Sequence, residues 1–68
     1  MRTLTTRQER ILRKVVEHHI STGRPVGSKS ICEKGHFRES ASTIRSELVR
    51  LENMGYLSQP HTSAGRIP

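Results

Sequence analysis

Aspartate and tryptophan are missing from these 68 residues, and cysteine, phenylalanine and tyrosine occur once each. With no aspartate, no phosphate-binding glycine loop and no nucleophile–base spacing, the chain is not read as an enzyme, and no cofactor is expected. Cys32 has no partner for an internal disulfide, which fits a reducing interior; a small hydrophobe packed in a short helix is the expected role. His18, His19, His36 and His61 share no zinc spacing with it, so no metal site is expected. No apolar run of signal or membrane length occurs, so a cytoplasmic protein with no membrane partner is expected. A chain this short removes only about 60% of its unfolded surface from water. With hydrophobic residues at 31% of the sequence, that leaves a thin aliphatic core and little material for a walled substrate cavity.

Positive charge is plentiful. Twelve Lys and Arg stand against six Glu, a net charge of +6. That balance favours an anionic partner without deciding fold or mechanism.

The spacing predicts one domain over 1–68, with helices over about 5–22, 28–34 and 40–54 and a wing over about 56–68. Thr5 with Gln8, or Thr6 with Glu9, has capping-box spacing at the first helix. Leu12, Val15, Val16 and His19 share its expected core face, with Ile11 and Ile20 at the margins. His19 there reads as a partly buried, hydrogen-bonded residue. Gly23 and Pro25 end that helix. Ser28 is the expected N-cap of the second helix, which ends at Gly35, and Phe37 fills the gap to the third. Ser40 caps the third helix, whose buried stripe is Ala41, Ile44, Leu48 and Leu51, with Met54 at its edge. Gly55 is its C′ residue, and Tyr56-Leu57 begin a strand. This is a mainly α fold with a small β wing: a winged helix-turn-helix of three helices followed by a short hairpin that stops early.

In a helix-turn-helix, the second helix of the pair enters the major groove and its N-terminal part reaches base edges. Ser42, Thr43, Arg45, Ser46 and Val49 are therefore the candidate base readers. Arg45 can bond bidentately to guanine, and Val49 can touch a thymine methyl. Ser28, Lys29, Ser40, Arg50, His61, Thr62, Ser63 and Arg66 are candidate contacts to the nucleic-acid backbone or wing contacts, with Arg66 a probe at the wing. On these features alone double-stranded DNA competes with two other readings. One is a winged-helix module for protein or RNA contact; the other is an inactive structural fragment.

Taken in order, several motifs resemble the N-terminal domain of the heat-inducible transcription repressor family HrcA. They are Leu4-Thr5-x-Arg7-Gln8, Ile11-Leu12, Pro25-Val26-Gly27-Ser28, Thr43-Ile44-Arg45, Leu51-Glu52 and Gly55-Tyr56-Leu57. The run from Gln59 through His61-Thr62-Ser63-Ala64-Gly65-Arg66-Ile67 to Pro68 is the most specific match. The resemblance implies a cytoplasmic, nucleoid-associated bacterial repressor that binds an inverted-repeat operator upstream of chaperone operons. It also implies maintenance by the chaperonin GroEL, acting on parts other than this domain alone, and a homodimeric full-length protein. Ala41, Ser42 and Ser46 depart from a common proline, alanine and asparagine, and Ser46 lies on the outward face, where base preference is set. The isolated domain is expected to be a monomer, because no helix shows a second broad apolar face. His61 to Arg66 is the expected least ordered internal segment, because the chain leaves little or no return strand.

Overall fold

The computed structural model describes residues 3–60 and 65–68. Three helices pack together: α1 over Thr6–Thr22, α2 over Ser28–Lys34 and α3 over Ala41–Asn53. With the wing, they form a winged helix-turn-helix. None of them is long and apolar enough to cross a membrane.

Of the two spacings available at the start of α1, the chain uses Thr5 with Gln8. The Thr5 hydroxyl accepts from the Gln8 backbone N–H at 3.0 Å, and the Gln8 side chain accepts from the Thr5 N–H at 3.0 Å. Two of the helix's four orphan donors are thereby satisfied. Gly23 ends α1 at φ 68°. The core face of α1 is rotated from the expected one. Gln8, Ile11 and Val15 are buried, whereas Leu12 and Val16 are half-buried and Ile20 is 77% exposed. Gln8 could move inward because its amide finds partners there, which hydrophobic periodicity does not register. Leu12 still packs against the core from this margin, and Ile20 is the apolar residue of α1 left open to solvent. His19 is half-buried and its Nδ1 lies 3.0 Å from the Arg24 carbonyl oxygen, as its placement predicted.

The cap of α2 is Gly27 rather than Ser28. Ser28 lies inside the first turn, and no side-chain cap bond forms. Cys32 is half-buried against the core and donates to the Glu39 carbonyl at 3.3 Å. Phe37 is buried, and Arg10 of α1 covers its ring at 4.6 Å.

At the start of α3, the Ser40 hydroxyl accepts from the Thr43 N–H at 3.3 Å. Ile44, Leu48 and Leu51 are buried as periodicity predicted, but Ala41 is exposed and Glu47 is buried in its stead. The exit is a Schellman motif. Tyr56 N–H donates to the Leu51 carbonyl and Gly55 N–H to the Glu52 carbonyl, each at 3.0 Å. Gly55 has φ 89°, a conformation L side chains rarely adopt. That turn points the chain back under the helix, where Leu57 joins Ile11, Val15, Val26, Ile31, Ile44, Leu48 and Leu51 in one cluster. Each such buried aliphatic side chain contributes about 1.5–3 kcal/mol.

The return strand, expected to be nearly absent, is present in minimal form. Arg66 exchanges both backbone hydrogen bonds with Val26, and Ile67 exchanges both with Ser58, all at 2.8 Å. The last residues therefore lie between two antiparallel partners, the α1–α2 connection on one side and the segment after α3 on the other. The expectation of weak order over His61 to Arg66 falls partly outside the described residues, at 61–64. Gly65 and Arg66 are buried.

Candidate nucleic-acid interface

Burying Ile44, Leu48 and Leu51 on one side of α3 turns the opposite side outward, since successive residues diverge by about 100°. Ser42, Arg45, Ser46, Val49, Arg50 and Asn53 are exposed along it, and Thr43 is half-buried at its edge. Val49 is 41% exposed, one of the few large apolar side chains open to solvent. A helix anchored by a full apolar stripe and capped at both ends presents this row rigidly.

The hydroxyls on the row are already oriented. Ser46 donates to the Ser42 carbonyl at 3.2 Å, which leaves its oxygen free as an acceptor. The Ser40 oxygen, besides capping the helix, lies 3.2 Å from Thr43 Oγ1. Its first role is therefore local, as the helix cap, and it stands at the row's N-terminal end.

Beside α3 runs a groove formed with the start of α2 and the wing root. Ser28, Lys29, Arg45, Gly65 and Arg66 line it, with Leu48 at its floor. Lys29 and Arg45 are exposed there, so two cations from different elements face one channel. Gly65 permits the close approach that shapes it. A Cβ at that position would lie 3.0 Å from the Pro25 carbonyl carbon, from its Cβ and from the Val26 nitrogen.

Arg66 differs from the exposed probe that its position suggested. It is only 6% exposed, and its Nε lies 3.0 Å from Glu52 Oε1 on α3. In this structure the side chain ties the wing root to the C-terminal half of the outward-facing helix. His61, Thr62 and Ser63 lie outside the described residues.

Sequence patterning missed the centre of the opposite flank. Glu47 is a buried carboxylate with a side chain 3% exposed. Arg7 Nε of α1 donates to its Oε2 at 2.8 Å, Gln8 Nε2 approaches Oε1 at 3.5 Å, and Arg50 Nη1 approaches Oε1 at 3.5 Å. Arg7 also comes within 3.8 Å of Glu39. The available signal was a charged residue at a core angle of the third helix, with an Arg-Gln pair at the start of the first. Among the described residues no three His, Cys or Glu side chains are grouped to hold a metal ion.

The family model described as LexA DNA binding domain matches residues 1–65. Over 65 residues the chain is 52% identical to the heat-inducible transcription repressor HrcA of Acetivibrio thermocellus, covering 96% of this chain and 18% of that protein. The HrcA of Clostridium perfringens is 55% identical over 62 residues, covering 91% of this chain and 18% of the relative. That of Thermobifida fusca is 49% identical over 65 residues, covering 96% and 19%. A crystal structure titled only as that of a hypothetical protein superposes with TM-score 0.93 at 42% identity, over 97% of this chain and 20% of the other. The chain thus spans about one fifth of the length of the relatives it matches.

Proposed function

Because the chain belongs to the LexA DNA binding domain family, as a DNA-binding domain homologous to the N-terminal part of the HrcA repressors, we propose that it reads double-stranded DNA through the exposed row of α3. The observation that carries this reading is the coincidence of that row with the cationic groove beside it. Arg45 stands at the junction, exposed on α3 and lining the groove.

In the proposed mode α3 enters the major groove. Arg45 donates two parallel bonds to guanine O6 and N7, and Val49 packs on a thymine methyl. Ser46, with its proton committed to the Ser42 carbonyl, accepts from an exocyclic amine of adenine or cytosine. Ser42 and Thr43 complete the base-reading set. Lys29 and Ser28 on one flank, Ser40 at the helix start and Arg50 on the other flank meet phosphates, and His61, Thr62 and Ser63 extend the contact through the wing. Arg66 acts indirectly, by holding the wing root. One domain reads half of an inverted-repeat operator, and repression of chaperone operons follows from promoter occlusion by a longer dimeric protein.

Selection of duplexes from a random pool, followed by titration of the selected and a scrambled duplex, tests the proposal. Arg45→Ala is expected to cost about 1–3 kcal/mol on the selected duplex and to leave the scrambled duplex nearly unaffected. Unchanged affinity for both would remove Arg45 from the reading set. Absence of duplex binding by the unsubstituted domain, with amide shifts on adding peptide or RNA, would favour an interaction module instead.

A further inference from the structure

Five side chains at the start of α1 and along α3 form a continuous polar chain. It begins at the Thr5 hydroxyl, which fixes the Gln8 backbone while the Gln8 amide oxygen accepts from Thr5 N–H. The Gln8 amide nitrogen and Arg7 Nε then reach the two oxygens of Glu47 at 3.5 and 2.8 Å. The Glu47 side chain is 3% exposed, and Arg7 is 42% exposed with a second carboxylate, Glu39, at 3.8 Å. At the far end Arg50 Nη1 lies 3.5 Å from Glu47 Oε1, and its side chain is 67% exposed. Arg50 is the solvent-facing end of the chain, on the flank of α3 that borders the outward row.

From this geometry we infer that Arg7 and Glu47 are positioning residues for DNA binding, acting through Arg50, which holds a backbone phosphate. The inference rests on the DNA-binding reading above and assigns the α1 N-terminus a part in it. A free arginine samples many rotamers, and ordering such a side chain on binding costs conformational entropy. A carboxylate fixed from α1 restrains the Arg50 guanidinium before DNA arrives and reduces that cost. Arg7 suits the inner role because its charge is already shared between Glu47 and Glu39. Arg50 suits the outer role because its pairing with Glu47 is loose at 3.5 Å, so an incoming phosphate can take further N–H groups of its fork.

The test uses the whole chain and a short fluorescein-labelled duplex of mixed sequence, titrated at several salt concentrations. Mixed sequence isolates phosphate contact from base reading. Arg50→Gln is expected to weaken binding several-fold and to lower the salt slope by about one. Glu47→Gln is the discriminating variant. It keeps the side chain's shape and makes the protein more positive, so simple charge attraction predicts tighter binding, whereas loss of positioning predicts weaker binding. Arg7→Gln is expected to cost several-fold in the original protein and little in an Arg50→Gln background. Circular dichroism melts accompany each variant. Where Glu47→Gln does not fold, Arg7→Lys takes its place, retaining the charge but not the planar fork, and is again expected to bind more weakly. Tighter binding by Glu47→Gln, or equal cost of Arg7→Gln in both backgrounds, overturns the inference while leaving DNA binding standing. If the unsubstituted protein shows no salt-dependent duplex binding, the DNA reading and this inference fall together.

Discussion

Arg66 and Glu47 are charged residues of opposite sign in one small domain, and both are buried. Each reaches a partner on a neighbouring element, Glu52 for Arg66 and Arg7 for Glu47. Burial of a charge is tolerable only with such pairing, and a sequence pattern records the charge without the partner. That is why Arg66 read as an outward probe and Glu47 went unread, while Ser42, Arg45 and Val49 were placed on the correct face. Gly65 is the residue-scale feature with the most direct test. A side chain added here would place its Cβ 3.0 Å from Pro25 and Val26, where the neighbours are largely backbone and cannot swing aside. Gly65→Ala is expected to lower stability by about 1–3 kcal/mol, measured by urea unfolding. An unchanged midpoint would mean that the wing root relaxes freely.

At the scale of elements, helix ends were more legible than helix faces. Ends are set by local chemistry: a hydroxyl three residues from a glutamine, or a glycine where φ must be positive. Thr5→Ala should therefore act locally, costing about 1 kcal/mol. In a domain of this size that is a fall of roughly 4–8 °C in Tm. A melt unchanged by the substitution would show that Gln8 and Arg7 hold the start of α1 without the cap. Faces depend on neighbours. The apolar pattern of α1 admits a stripe through Leu12, Val16 and His19 as readily as one through Ile11 and Val15. Packing against α2 and α3 selected the second, bringing Gln8 inside with it. The start of α2 shows the same limit. Ser28 has the right chemistry for a cap, but the chain turns one residue earlier, at Gly27.

For the whole molecule, size argues for one DNA half-site per copy. The longest extent is 29 Å, shorter than the spacing of about 34–36 Å between successive major-groove faces on one side of a duplex. The isolated domain is therefore expected to bind a half-site duplex and each half of an inverted repeat with the same per-site Kd. Calorimetric titration of both duplexes checks this; much tighter binding to the full repeat would mean that two copies contact each other on DNA. Ile20, exposed on α1 beside the half-buried Val16, is the first residue to substitute in that event. The sequence by itself determined the three helices, their ends apart from the start of α2, the outward row of α3 and, through its ordered motifs, the repressor family, because these depend on local chemistry and short-range periodicity. Only the tertiary structure decided the α1 face, the burial of Glu47 and Arg66, and the closure of the wing. Val26 and Arg66 are far apart in the chain, and only packing of the helices beneath them brings their backbones within 2.8 Å, where two hydrogen bonds stabilise what neither segment could hold alone.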